Sequence, residues 1–579
     1  MSYLRDFRES PFFDGLVLDE RNYDAWAQRI AAGDLLGEGP FTANPLGPYV
    51  LALVYSVLGR DLVAVRLVQV AAATVTCALL YRVADDLFGR RAALVTLALA
   101  AVYGPLVFVS ANLVGEVWCV LLAAGALALL RRPAPPLAVA ASGALFALAA
   151  TGRPNLLPLL VVLPVALGIA GPGPARLHAE RTGAWFLGAT LVLAPVFARN
   201  LVVGGEPVLV TAHGGVNVWI GNNSDADGFF KTPLGSGLAG GQESLVESSR
   251  DVAAKALGRG VTASEASRWW AERAVVFALE DPVAFARLTT TKAGYFLNAY
   301  EAPLESNYDY ARAGSPTLRC ATVGFGVVGP LALVGAVLGV RRWRELAVPL
   351  SFGLVYSATV IGTFVAMRYR LPVLVVGLPL AGRAVEAMAD AARLRDWRRA
   401  LTLAATIGML GLFFHRPVPD GLADRNLAFV EQSLCEIALD DGRAADAARH
   451  CEEAVRLFPE RGRFHNNLGL AYLRTDRPSE ARRALEQGIA LGHRDRSIYR
   501  NLAKARLALG ETELALFAYR EAARRDPRHG PTQYDIAVVL DLLGRHNEAQ
   551  AQLRRARAMV GEGALRERID ERLSETSEP

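Results

Sequence analysis

Residues 62–84 read LVAVRLVQVAAATVTCALLYRVA, and this stretch decides the fold class. It reaches the ~20 predominantly apolar residues that a helix needs to cross a bilayer. Its two charges, Arg66 and Arg82, stand near the ends. Comparable apolar runs follow at 92–109, 116–130, 137–151, 155–171, 183–202, 322–340, 346–366, 370–388 and 399–414, which predicts ten helical spans. The whole chain agrees with them. Of its 579 residues 52% are hydrophobic and 21% charged, and the mean hydropathy is +0.25. A soluble chain averages roughly 25% charged residues and is rarely so apolar.

The loops between the runs set an orientation. Arg90 and Arg91, Arg131 and Arg132, Arg176 and Arg181, Arg341 to Arg344, and Arg393 to Arg399 occupy every second loop. Basic loops favour the cytoplasm, so these five lie inside. The break Gly152-Arg153-Pro154 keeps 137–151 and 155–171 apart; merging them would put basic clusters on opposite faces. The other face then receives residues 1–61, the turn at Asn112–Glu116, Arg153, the long segment 204–320, Arg368–Arg370 and everything after 421. Leu46 to Leu58 is apolar but too short to cross, and reads as an interfacial helix. Met1 to Leu18 carries too many charges for a span or a signal peptide.

Other classes are poorly served. The net charge of +5 is scattered through short loops without a basic, aromatic-interleaved stripe, so no nucleic-acid partner is expected. The five cysteines (Cys77, Cys119, Cys320, Cys435, Cys451) lack metal-ligand spacing. GFGVVG at 324–329 fits a dinucleotide pattern but lies inside an apolar run with no strand before it, so it reads as part of a span.

Several stretches, in order, resemble one family. They are LDERNYDAWAQRIAAGD (18–34), NPLGPYVLALVYSVLG (44–59), GPLVFVSANLVGE (104–116), GRPN (152–155), ARNLVVGGEPVLVTAHGGVNVWIGNN (198–223) and RYRLP (368–372). Together they resemble the bacterial GT-C membrane glycosyltransferases of the family 39, protein-mannosyltransferase-like kind. The resemblance implies a polytopic helical fold, a polyprenyl-phosphate sugar donor, a hydroxyl acceptor and a place in the bacterial inner membrane among its lipids. It also implies a transmembrane helix just before the acidic pair Asp19 and Glu20, so either the true start is expected upstream or the chain is expected to be truncated. No cofactor is certain, and a divalent metal remains open.

The transfer needs a carboxylate for the acceptor's proton and cations for the leaving phosphate. The resemblance places its acidic pair on Asp19 and Glu20, with Asp19 as base or base-orienting group. Local sequence alone reads Asp19 as the cap of a helix from Arg21 to Ala32. Glu116 heads an apolar run, where it either supports a metal or the acceptor, or simply faces solvent at a helix N-terminus. Arg368 and Arg370 stand on the face where positive charge is scarce and suit a donor phosphate, with snorkelling to headgroups as the alternative. Arg153 repeats that case more weakly, since its neighbours also make a helix break. Gly221, Asn222 and Asn223 form a turn that the resemblance places over the site. Segment 204–320 holds amphipathic stretches (Glu243 to Leu257, Ala263 to Leu279). Its aromatics Trp269, Trp270, Tyr295, Phe296, Tyr300, Tyr308 and Tyr310 suit sugars or the membrane interface equally.

Past 421 the chain repeats. Gly442, Asp476, Gly510 and Gly544 are 34 residues apart, and so are Ala447, Ala481, Ala515 and Ala549. That period is the tetratricopeptide signature. It gives four repeats over 422–579 with a capping tail from 562, an α-solenoid outside the cytoplasm that takes a protein or glycan partner or acts as a spacer. Cys435 and Cys451 hold core positions on the two helices of the first repeat. The low cysteine density favours free thiols over a disulfide. The domains are therefore 1–61, 62–203, 204–320, 321–414 and 422–579. Against the transferase stand a non-catalytic membrane-anchored scaffold for envelope assembly and a transporter. The spans show almost none of the mid-bilayer charges that a transporter needs.

Overall fold

The computed structural model describes residues 1–130, 134–171, 174–233, 236–238, 242–304 and 306–575, without the side chains of 242–244 and 575. The basic pair Arg131 and Arg132 lies outside the described residues. Among the described residues every regular element is helical, apart from one isolated bridge between Tyr103 and Val323. The chain divides into two compact units, Met1–Pro419 and Asp420–Pro579.

Among the described residues of the first unit four helices are long and apolar enough to cross a membrane: Leu62–Phe88, Ala175–Gly204, Phe325–Arg342 and Met367–Arg393. Leu46–Leu58, Glu116–Leu129, Pro136–Gly152, Pro154–Ala170 and Ala347–Ile361 are apolar but shorter. The run expected at 92–109 is not one helix. It breaks into Arg90–Ala101 and Gly104–Val109. Pro105 has no N–H to continue the ladder, and the Gly104 N–H turns aside to the Val323 carbonyl at 2.9 Å. GFGVVG does enter a helix, Phe325–Gly339.

At 152–154 the helix Pro136–Gly152 ends, Arg153 takes an extended conformation, and a 3-10 turn starts at Pro154. Gly152 is needed there, because a side chain would strike Cys119 Sγ and Leu46. Asn155 then ties the turn to the helix Ala347–Ile361, donating to Thr359 O at 3.3 Å and accepting from its hydroxyl at 3.2 Å.

Segment 204–320 is helical too, with Gly214–Gly221, Gln242–Leu257, Ala263–Glu280 and Pro282–Phe296 as its main elements. Thr262 and Glu265 form a capping box at the start of Ala263–Glu280. Trp270, Phe296 and Tyr308 are buried, and Trp219 packs on Trp270 with ring centroids 4.4 Å apart. Trp219 and Trp270 share a small core with Ile220 and Leu245, while Phe296 and Tyr308 pack into the main helical core beside Phe325 and Phe108, so burial of apolar area accounts for these aromatics.

The second unit is a row of helix pairs: Leu422–Asp440 with Ala444–Leu457, Gly462–Arg474 with Pro478–Ala490, Arg496–Ala508 with Thr512–Arg525, and Gly530–Leu542 with His546–Met559. Helix Ala564–Glu575 follows. The periodic alanines Ala447, Ala481, Ala515 and Ala549 are buried where the helices meet. Gly442, Gly510 and Gly544 turn each pair with φ of 73°, 76° and 73°, and Asp476 takes the same left-handed turn at 56°. Cys435 and Cys451 are joined in a disulfide with their Cα atoms 5.4 Å apart. The expectation of free thiols is corrected: pairing the two helices of one repeat brings positions 16 apart face to face.

Candidate functional site

Four element ends meet in the first unit. Asp19 lies in the first turn of helix Leu18–Ala31, Glu116 opens helix Glu116–Leu129, Arg153 closes Pro136–Gly152, and Arg368 sits in the turn Met367–Arg370. Each position follows from its sequence. Glu116 has the helix N-terminus to favour its charge, and Arg153 stands between a helix-ending glycine and a proline that starts the next turn.

The four side chains form a chain of three ion pairs. Arg368 Nη2 donates to Asp19 Oδ2 at 3.0 Å, and its Nε lies 3.5 Å from Glu116 Oε1. Arg153 pairs directly with Glu116. Tyr369 lies against both cations, its ring centroid 4.2 Å from the Arg153 guanidinium carbon and 5.7 Å from that of Arg368. Asp19, Glu116 and Arg153 are buried. Asp19 is not the helix cap; that place belongs to Val17, and the Asp19 carboxylate turns to Arg368. Neither is Glu116 a solvated helix end, since it is 3% exposed.

Glu20 turns the other way. It accepts the Leu113 N–H at 3.3 Å, and burial pushes its carboxyl up to about 7, against the attraction of Arg66. Arg66 is itself fully buried in helix Leu62–Phe88, donating to Ala111 O and Phe13 O at 2.9 and 2.6 Å. It is stacked over the Phe13 ring at 4.1 Å.

Arg370, expected beside Arg368 at the donor phosphate, pairs with Glu301 outside the cluster. It is 1% exposed. It binds Glu301 Oε2 at 2.6 Å, the carbonyls of Phe296, Asn298 and Tyr300 at 3.3, 2.6 and 2.6 Å, and the Phe325 ring. Glu301 also accepts the Phe325 N–H at 3.0 Å, capping a second helix. This guanidinium is a structural tie, and a phosphate would have to displace four oxygen partners.

The turn at Gly221, Asn222 and Asn223 is also tied down. Lys292, fully buried on helix Pro282–Phe296, donates to Gly221 O at 3.1 Å, Asn222 Oδ1 at 2.8 Å and Thr363 O at 3.1 Å. It thereby joins that turn to the loop that leads into Arg368. Burial draws its ammonium down to about 8. Asn223 caps its own helix by donating to Trp219 O and Ile220 O.

Sequence reasoning missed Lys292, Glu301 and His213. His213 ends the stretch 205–213, which Asn200 holds by donating to Val208 O and Val210 O at 2.9 and 3.0 Å. The residue is partly exposed, but its Nδ1 is buried and meets no protein partner. Burial takes the imidazole down to about 4, opposed by the charge of Asp19 and assisted by that of Arg153. A lone histidine in a glycine-rich stretch gave no spacing to read.

Among the described residues no three His, Cys, Asp or Glu side chains gather as a metal set. Glu116, considered as metal or acceptor support, meets two guanidinium groups. The arrangement suits other chemistry, with two guanidiniums for an anion and a carboxylate beside them for a proton.

Residues 40–201 match the family model for dolichyl-phosphate-mannose-protein mannosyltransferase. This range holds Glu116 and Arg153, while Asp19 and Arg368 lie on either side of it. Residues 438–507 match the tetratricopeptide repeat. No curated protein matches the chain. Among solved structures, the crystal structure of YrrB, described as a TPR protein with an unusual peptide-binding site, is 16% identical. It covers 33% of this chain and 91% of its own, at a TM-score of 0.24. A crystal structure of MamA is 20% identical and covers 30% of this chain and 89% of its own, at 0.22. The resemblance drawn from the residues thus holds where these models match: residues 40–201 are mannosyltransferase-like, and residues 438–507 are tetratricopeptide-like.

Proposed function

We propose that the chain transfers a sugar from a polyprenyl-phosphate donor to a hydroxyl acceptor on the outer face of the bacterial inner membrane. One observation carries this reading: Arg153 and Arg368 converge with Asp19 and Glu116 around Tyr369, from four separate element ends. The donor's phosphate competes with the carboxylates for the two guanidiniums, whose forked donors suit phosphate oxygens. Asp19, released from Arg368, then takes the proton of the acceptor hydroxyl. The acceptor oxygen forms its bond to the anomeric carbon as the bond from that carbon to the phosphate oxygen breaks. Polyprenyl phosphate leaves with the electron pair, its charge held by Arg153 and Arg368. No step requires a metal.

Segment 204–320 covers the site in this scheme, held down through Lys292. The repeats recruit a protein or glycan acceptor. The Cys435–Cys451 disulfide supports a place for them in an oxidising compartment, outside the cytoplasm.

The test uses membranes that contain the full chain, supplied with radiolabelled polyprenyl-phosphate sugars. Label should move from lipid to a water-soluble or protein product, and Asp19→Asn should stop it. Undiminished transfer by Asp19→Asn removes Asp19 from the chemistry. Absence of transfer from every donor leaves the anchored scaffold as the better account.

A further inference from the structure

We propose that Lys292 is a positioning residue for this same site: by clasping the loop 362–367 it sets Arg368, and with it Tyr369, to receive the donor phosphate. The proposal rests on the transferase reading above. Its ground is a set of hydrogen bonds that run from segment 204–320 to one short loop. Asn222 Nδ2 donates to Gly362 O at 2.8 Å, and Lys292 Nζ to Thr363 O at 3.1 Å. The Val365 N–H reaches Gly228 O at 2.9 Å, and the Met367 N–H reaches Ala302 O at 2.7 Å. Arg368 is the next residue. Gly221 lies so close to this loop that a side chain there would strike the Thr363 backbone.

Lys292 holds the centre of the clasp. Gly221 is the last residue of helix Gly214–Gly221, and Thr363 stands just past the end of Ala347–Ile361. The ammonium thus faces two helix C-termini, where partial negative charge collects. It has three hydrogens, and its three partners are Gly221 O, Asn222 Oδ1 and Thr363 O. All three are neutral oxygens. A buried charge held by neutral groups is costly to keep, and methionine would serve packing alone. What the charge gains is the junction of two helix ends. From that junction two routes lead to the cations. One is the backbone from Thr363 to Arg368. The other runs through Phe364, which is 1% exposed and has the rings of Phe230 and Tyr369 at 5.2 and 5.4 Å. Tyr369 in turn faces Arg153 and Arg368 at 4.2 and 5.7 Å. A loop released from Lys292 would carry both the fork of Arg368 and the ring beside it away from the carboxylates.

The test uses the full-length protein in detergent and reads two constants. One is the Kd for polyprenyl phosphate, which depends on the cations. The other is the KM of octyl mannoside as acceptor at saturating polyprenyl-phosphate mannose. Lys292→Met should weaken polyprenyl phosphate about tenfold and keep the acceptor KM within about twofold, because the loop sets the cations. In an Arg368→Lys background the same change should add less than about twofold, since the two residues act as one unit. Asn222→Ala removes one Lys292 partner and the bond to Gly362 without removing a buried charge. It should show the same pattern, and it carries the test if Lys292→Met fails to fold. A lysine that only fastens the fold would lower the active fraction and leave both constants alone. That result overturns the proposal, as does equal weakening of both constants, or a loss that multiplies with that of Arg368→Lys. Wild-type protein that transfers no label from polyprenyl-phosphate mannose overturns the transferase reading. Wild-type transfer with unchanged constants in the Lys292 and Asn222 variants overturns the positioning role alone.

Discussion

Arg368 donates to Asp19 across 3.0 Å, although 349 positions of sequence separate them. The same guanidinium reaches Glu116 at 3.5 Å. Lysine carries the charge but not the planar fork, and cannot serve two carboxylates in one plane. Arg368→Lys should therefore lower kcat/KM for the polyprenyl-phosphate donor at least tenfold, about 1.4 kcal/mol of transition-state binding. The melting temperature should move little. Equal activity in the lysine variant would mean that a point charge is enough and that the fork does no work.

The neighbouring arginine should behave in the opposite way. Arg370→Met leaves the buried Glu301 without its 2.6 Å partner and three carbonyls without a donor. An unpaired buried charge costs about 3–5 kcal/mol. The melting temperature should fall steeply, and the double variant Arg370→Met with Glu301→Gln should regain part of it. If Arg370→Met instead melts like wild type and loses only donor affinity, Arg370 belongs with the phosphate after all.

The contrast between these two arginines shows what the sequence could and could not tell. Glu116, Arg153 and Arg368 were legible one at a time, as charges beside apolar runs, and Asp19 only through the family resemblance. Their convergence was not, because it depends on which helix ends become neighbours. Arg370 carried the same signal as Arg368, yet two residues along a helical turn point to different sides, and only the packing shows which one faces the carboxylates. Lys292 and Glu301 are matched by partners about 70 residues away, so nothing in their own surroundings marks them. The repeats were the most legible part, because a period is a local property. Even there the Cys435–Cys451 bond needed the helix pair to close before its two positions could be seen to touch.

Glu20 gives a pH dependence of definite sign. Burial raises its carboxyl from 4.5 to about 7, so between these values the folded protein holds a proton that the unfolded chain has released. Stability from this group is then greatest below about 4.5, falls as pH rises toward 7, and levels off above it. Glu20→Gln mimics the protonated form and should remove that loss. The variant should melt above wild type at pH 8 and close to it at pH 4, read as the difference between the two proteins at each pH. A difference that grows toward acid would reverse the sign and show that Arg66, not burial, governs Glu20.

The disulfide tests both stability and compartment. Cys435 and Cys451 close a loop of 16 residues within the first repeat, and such a crosslink stabilises by about 3 kcal/mol in the chain-entropy account. Reduction of the full-length protein should lower the melting transition of the repeats, and Cys435→Ala with Cys451→Ala should melt low with or without reductant. The same bond lets the location be tested. In cells whose outer envelope alone is permeabilised, a membrane-impermeant maleimide should label these cysteines only after reductant is added. A cysteine placed at Tyr369 should label in the same cells without it, if the cation cluster faces the same compartment. Labelling of both positions only after lysis would move the carboxylates, the arginines and the repeats to the cytoplasmic side. The donor would then have to be sought there.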